Sequence, residues 1–389
     1  RFDSVELEQP EVPAAELEAA VERVEPALLA AIDRAIGRIQ AFHAAGLPRD
    51  LSLETAPGLL CSATYRPISP VGLYAPGGSA PLISTVIMLA VPALLAGCKE
   101  IVLCTPPSAD GSVDPALLAT ARRCGVQRVF RIGGAQAIAA MAFGTESVPS
   151  CAKLYGPGNA WVTEAKQQVA MQPDGAAQDM PAGPSEVMVI ADGDADPTAL
   201  AWDLLSQAEH GPDSQSLLLS DDDALLEAVA RLLPRLAADS PRSDILAQSL
   251  DHARLLRVAS IGQAIGIAND YAPEHLIINC ADADRRVESI TTAGSVFVGP
   301  WTPESLGDYC SGTNHVLPTY GYARAFSGLS VGDFLRRMTV QRASAEGLRE
   351  AGPDAMAMAA AEGLSAHYEA VAWRLATLDR DPGGKPDPA

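Results

Sequence analysis

Six histidines in a chain of 389 residues are few enough to weigh one at a time, and four stand near other groups able to bind or move charge. Glu274 and His275 are adjacent and lead directly into the apolar run Leu276, Ile277, Ile278. Two titratable groups at a strand edge can both be tuned toward neutral pH and serve as proton-transfer groups. A solvated turn ahead of a strand is the plainer alternative. Gln207 and His210 lie three apart in a segment stopped by Gly211 and Pro212, which reads as a helix end with both side chains on one face. An imidazole and an amide oxygen can hold zinc in a mixed nitrogen–oxygen site, or can simply finish a polar helix. Asp308 and His315 fall in a Gly/Ser/Asn-rich loop, exposed unless it lines a site. Glu362 and His367, five apart on a helical stretch, point in partly divergent directions and by spacing alone read as surface groups.

The elements that must position these groups follow from hydrophobic periodicity. The first sixty residues read as mostly helical, with Leu, Val and Ile at helical spacing between Ala14 and Phe42. From about Val71 short apolar runs (101–104, 128–132, 186–190) alternate with Ala-rich helical stretches (115–123, 135–142, 161–169). That alternation predicts βαβ units and a largely parallel sheet. A second cycle has strands near 216–220, 276–279 and 295–298, with helices near 199–208, 224–237 and 261–269. The chain reads as helical again from Asp333 to about Leu378, and its Pro/Gly-rich end as disordered.

Four glycine-bearing loops, 74–78, 133–136, 156–159 and 181–185, are expected where a strand hands over to a helix or crossover. Glycine lets backbone N–H groups approach a ligand there, and helix N-termini favour phosphate. They suggest a nucleotide-sized ligand at the carboxyl ends of the strands, or else tight turns. None matches GxGxxG: the run from Gly156 has Trp161 where the third glycine belongs.

A net charge of −20 argues against nucleic acid and anionic lipid as partners. Seven scattered cysteines without a CxxC pair read as reduced thiols of a cytosolic protein. No secretory signal is visible, although the chain begins with Arg1. The uncharged stretch from Gly77 to Cys98 is long enough to span a bilayer. Pro81 and Pro92 interrupt it and an apolar run follows, so a buried helix feeding a buried strand is expected, in a soluble protein.

Taken together these segments resemble the histidinol dehydrogenases from about residue 1 to residue 376, most specifically at 72–81, 133–145, 155–159, 179–192, 203–215, 271–278 and 305–322. The resemblance implies an α/β fold of two incomplete Rossmann-like domains, which accounts for the missing GxGxxG. One domain would comprise 1–73 and 185–330 on the substrate and zinc side, the other 74–184 on the NAD side. A C-terminal helical arm, 331–378, and a disordered tail, 379–389, would follow. The family is a cytoplasmic, intertwined homodimer, with the arm entering the partner's active site.

The activity implied is NAD- and zinc-dependent oxidation of L-histidinol through L-histidinaldehyde to L-histidine, the last steps of histidine biosynthesis. The family's zinc ligands fall on Gln207, His210, Asp308 and His367, and its catalytic pair on Glu274 and His275. Substrate contacts fall on Ser185 and Glu362, with the zinc ligands and His275 close to the ligand and His315 as a further pocket residue. NAD contacts fall on Tyr74, Gln136 and Asn159. Glu362 and His367 would be delivered in trans. The alternative on the same scaffold is another zinc/NAD dehydrogenase, acting on a polar alcohol such as a sulfonated diol; Glu362 suits a cationic or imidazole-bearing substrate better. Two departures from the family are the lack of its N-terminal helical segment and a longer loop at 108–114.

Overall fold

The computed structural model describes residues 5–7, 9–77, 81–181 and 183–380. The chain opens with α1 (Ala14–Glu22), α2 (Pro26–Ala45), β1 (Leu51–Ala56), β2 (Leu59–Pro67) and β3 (Val71–Tyr74). Next come α3 (Ile83–Leu95), β4 (Ile101–Thr105), α4 (Pro115–Arg123), β5 (Arg128–Arg131), α5 (Gly134–Phe143), β6 (Lys153–Tyr155), α6 (Ala160–Ala170) and β7 (Ala177–Gln178). A second cycle runs β8 (Glu186–Ala191), α7 (Pro197–Ala208), β9 (Gln215–Ser220), α8 (Asp223–Ala238), α9 (Ser243–Ser249), β10 (Arg254–Arg257), α10 (Ile261–Tyr271), β11 (His275–Asn279) and α11 (Ala283–Arg286). It closes with β12 (Ser295–Val298), α12 (Glu304–Tyr309), β13 (Leu335–Ala343), α13 (Ala345–Ala361) and α14 (Ser365–Arg380).

Local chemistry sets many of these boundaries. Asp114, Asp196, Asp222 and Ser260 each accept a backbone N–H from the first turn of α4, α7, α8 and α10, satisfying donors that the helix itself cannot. Pro115 and Pro197 occupy positions where a missing N–H costs nothing. Strands β4, β8 and β11 are buried along their whole length, as continuous apolar runs require when helices cover both faces.

The chain divides into two compact units: 1–47 with 67–334, and 48–66 with 335–389. The first holds two five-stranded sheets, in the orders β5-β4-β3-β6-β7 and β10-β9-β8-β11-β12. Among the described residues the strands within them pair in parallel. In each, the first strand of the cycle is central and later strands add to one side, then the other. Val102, Phe130, Ile138, Met141 and Leu154 pack on the first sheet. Val187, Leu204 and Leu218 cover one face of the second, and Ile190, Ile265 and Leu276 the other. The loop 181–185, expected where a strand hands over to a helix or crossover, follows β7 and leads into β8 of the other sheet.

The second unit holds the sheet β1-β2-β13 and the packed helices α13 and α14. Here two expectations are corrected. Residues 51–67 form the β1–β2 hairpin rather than continuing the helical start, and 335–343 form β13 rather than the first turns of a long C-terminal helix. β1 and β13 are exposed along almost their whole length, so neither carries the buried alternation that marks a strand. Pairing between segments remote in sequence decides their state. The expected tail begins with Asp379 and Arg380 still in α14, and 381–389 lies outside the described residues.

The uncharged stretch 77–98 contains α3, thirteen residues long and buried from Ser84 to Ala93, followed by buried β4. No helix among the described residues is long and apolar enough to cross a membrane. All seven cysteines are unpaired.

Candidate active site

Helix α10 ends with Ala272 in the left-handed conformation (φ 58°), which turns the chain sharply into Glu274 and then β11. Both Glu274 and His275 are buried, at 6% and 4% exposure. Neighbouring β8 holds them through one residue: the Glu186 N–H donates to Glu274 Oε2 at 2.8 Å, and the Glu186 carbonyl lies 3.1 Å from His275 Nδ1. A carbonyl only accepts, so Nδ1 carries a proton, and Nε2 is the nitrogen left to gain or lose one. Nε2 lies 3.5 Å from Asp308 Oδ1.

Helix α7 supplies the next pair. Gln207 is fully buried, and neither its Oε1 nor its Nε2 has a hydrogen-bond partner among the described residues. His210, just beyond the helix, has Nδ1 2.9 Å from the Ser206 carbonyl, which leaves Nε2 bare and 4.0 Å from Asp308 Oδ2. Asp308 comes from α12 and takes part in both contacts. The Asp308 carbonyl also lies 2.9 Å from His315 Nδ1, and His315 Nε2 lies 3.4 Å from Thr85 Oγ1 of α3.

Burial sets the proton affinities. It pushes the Glu274 carboxyl up to about 7, with His275 pulling the other way. Burial would lower the His275 pKa, but Glu304, Glu274 and Asp308 outweigh it and lift the imidazole to about 10. Asp308 is pushed up by burial yet held below its usual range by His275, His315 and His210. His315 is lowered, mainly by burial.

Tyr74, Gln136 and Asn159 gather at the opposite kind of edge, the carboxyl ends of β3, β5 and β6. The Tyr74 hydroxyl accepts from Gly134 N–H at 2.9 Å, in the first turn that also carries Gln136. Asn159 Oδ1 accepts from Trp161 and Val162 N–H at 3.1 Å each, capping α6. Gly156 has φ +120°, and a Cβ there would meet the Tyr74 carbonyl at 2.2 Å, so only glycine fits. Lys166 and Asp179 form a buried ion pair around that residue: Asp179 Oδ2 accepts from Gly156 N–H at 2.8 Å, and Lys166 donates to the Gly156 carbonyl at 2.9 Å.

A cleft joins the two edges, lined by Gly156, Gly158 and Lys166 from the first sheet and by Ser185, Glu274 and His315 from the second half. The amino edge of one sheet thus meets the carboxyl edge of the other. Glu362, which follows α13, and His367, in α14, belong to the second unit and are exposed.

Four residues escaped the sequence reading. Glu186 holds Glu274 and His275 through its backbone, which no side-chain pattern reveals. Lys166 and Asp179 lie in a helix and a loop without any recognisable spacing. Glu304, fully buried, is grouped with His275 and Asp308, their ligand atoms all within 4.8 Å of one another. A Glu opening a short helix looks like ordinary N-terminal charge.

The donors Gln207, His210 and Asp308 fit a borderline divalent cation such as zinc: an amide without partners, a bare imidazole nitrogen and a carboxylate. The carboxyl-edge loops of the first sheet offer backbone N–H groups and polar side chains to a nucleotide-sized ligand.

The family model described as histidinol dehydrogenase matches residues 1–375. A histidinol dehydrogenase of Xanthomonas euvesicatoria pv. vesicatoria is 58% identical over 375 residues, 96% of this chain and 87% of the relative. One of Xylella fastidiosa (strain Temecula1) is also 58% identical, with the same coverage. The crystal structure of histidinol dehydrogenase from Elizabethkingia anophelis superposes with a TM-score of 0.94 at 46% identity, covering 97% of this chain and 87% of that one. A putative aldehyde dehydrogenase structure from Burkholderia cenocepacia shares the fold at a TM-score of 0.52 and 15% identity.

Proposed function

Because the chain belongs to the histidinol dehydrogenase family, NAD-dependent oxidoreductases, we propose a division of labour for its residues in the oxidation of L-histidinol through the aldehyde to L-histidine. Glu274 and His275 move the protons. Gln207, His210 and Asp308, with His367 from a second copy, hold zinc. Ser185, His315 and the second copy's Glu362 contact the substrate, and Tyr74, Gln136 and Asn159 contact NAD. When bound, zinc orients and polarises the substrate while NAD takes the hydride.

In the first oxidation His275 takes the alcohol proton at Nε2, the nitrogen left bare by the Glu186 contact. A cation held by Asp308 would weaken one of the three carboxylates that lift the His275 pKa, and so would favour the free base. In the second, Glu274 activates water to hydrate the aldehyde; its pKa of about 7 keeps proton loss and gain near balance. No cysteine adjoins Glu274 or His275 in sequence, so the hydrate route needs no covalent thiol step. The observation that carries this reading is the buried Glu274–His275 pair lying against Asp308.

The 1–73/185–330, 74–184 and 331–378 domain division belongs to the same reading, as do a homodimer and a cytoplasmic location. Trp301, 87% exposed, with exposed Trp202 and Tyr309, supports a surface that another subunit covers. The test is NADH produced per histidinol consumed, with and without a chelator. Two per substrate, abolished by chelation and restored by zinc, is expected. One per substrate, or indifference to chelation, would overturn the reading. Turnover of a sulfonated diol in place of histidinol would favour the alternative substrate.

A further inference from the structure

Among the described residues, two that are not glycine have positive φ: Ala272, which turns the chain into Glu274, and Tyr320, at 54°. A side chain at such an angle crowds its own backbone, so the conformation persists only where neighbours impose it. At Tyr320 the neighbour is Glu186, whose buried carboxylate accepts the Tyr320 N–H through Oε1 at 3.0 Å. The same residue holds Glu274 with its backbone N–H and His275 with its carbonyl. Three segments are thus tied to one point of β8. Held this way, the Tyr320 ring lies over the Gly183 backbone, where a Cβ would meet ring carbons at 1.9 and 2.0 Å. One residue earlier, Thr319 Oγ1 accepts the Gly183 N–H. Gly183, Ser185 and Thr319 line the cleft with Glu274 and His315. Tyr320 is otherwise 61% exposed, so its ring is not needed to fill a core.

We propose that Tyr320 is a positioning residue for the substrate. Clamped by the Glu186 carboxylate, its ring presses the Gly183 backbone into place and so fixes Ser185 relative to Glu274 and His275. Small misplacements of such a contact are expensive, because the reacting groups must be held in one geometry. This rests on the assignment of Ser185 to substrate and of Glu274 and His275 to proton movement. NAD is assigned to loops of the other sheet, so the clamp acts on one occupant of the cleft and not on the other.

Steady-state kinetics with histidinol and NAD varied separately, alongside melting, test the clamp. Tyr320→Gly removes the ring and suits the positive φ, so it should melt no lower than native protein. Its KM for histidinol should rise roughly 10-fold, with kcat and KM for NAD changed by less than about twofold. Tyr320→Phe keeps the ring and should recover most of that loss. Gly183→Ala drives a methyl into the ring and should also raise KM for histidinol. In the Tyr320→Gly background, with no ring to meet, the same change should have far less effect. Unchanged KM for histidinol in Tyr320→Gly overturns the proposal, as does simple additivity of the two changes. A matching rise in KM for NAD, or Tyr320→Phe behaving like Tyr320→Gly, overturns it too. Ser185→Ala separates the two levels. If it leaves KM for histidinol unchanged, the underlying substrate assignment has failed and the clamp with it; if it raises KM while Tyr320→Gly does not, only the role of Tyr320 has.

Discussion

Glu274 and His275 share one anchor, the Glu186 backbone, but differ in what they can exchange. Glu274→Gln keeps the size and the Glu186 contact while removing the base. Alcohol oxidation should persist in part, and aldehyde oxidation should fall on the order of 10²–10⁴-fold in single-turnover assays with each substrate. Equal loss of both steps would break the division of labour. Asp203 offers a pH experiment. Burial lifts its pKa from 3.8 to about 6. The folded carboxyl therefore holds its proton where the unfolded chain has lost it, so its contribution to stability is full at low pH and is lost as pH rises through the folded value. Asp203→Asn should stabilise the fold by about 2 kcal/mol near pH 8 and by nothing near pH 4, measured by denaturant unfolding. At this scale the sequence was readable where chemistry and neighbours coincide: Glu274 and His275 abut an apolar run. Glu304 was not, because its burial depends on α7 and the start of β11, far away in the chain.

Among the elements, β4, β8 and β11 could be foreseen because a strand buried on both faces is apolar along most of its length. β13 could not, since every residue after Leu335 is exposed and its partner lies near the other end of the chain. The Gly156 loop depends on a charge pair invisible in the pattern. Lys166→Met would strand Asp179 in the interior, so a loss of about 3–5 kcal/mol is expected, against a smaller one when Asp179→Leu accompanies it. A double-mutant cycle on melting would measure the difference, and simple additivity would show that the pair is not coupled. Asn159 separates architecture from recognition. Asn159→Asp caps α6 equally well, but replaces the amide NH₂ by an acceptor. Melting should be unchanged while KM for NAD rises roughly 10-fold, about 1.4 kcal/mol, the scale of one charged or lost hydrogen bond. A parallel fall in stability would contradict that separation.

For the whole molecule, the second unit carries Glu362 and His367, which we propose as a second copy's contribution. Two inactive variants decide this. His210→Ala and His367→Ala, mixed after dissociation and reassociated, should regain activity if the ligands come from different chains. Each mixed dimer would then contain one site with both lesions and one with neither. Continued inactivity would mean that both ligands serve the same chain's site.

The cleft between the sheets has a consequence for a reaction that needs two oxidations in succession. On the proposed assignment the nucleotide would lie at loops after β3, β5 and β6, whereas the proposed proton-moving groups, Glu274 and His275, stand at the start of β11 and are braced by β8. Spent dinucleotide would then be swapped for fresh without disturbing whatever grips the half-oxidised molecule. Separate scaffolds for the two occupants let one remain while the other comes and goes.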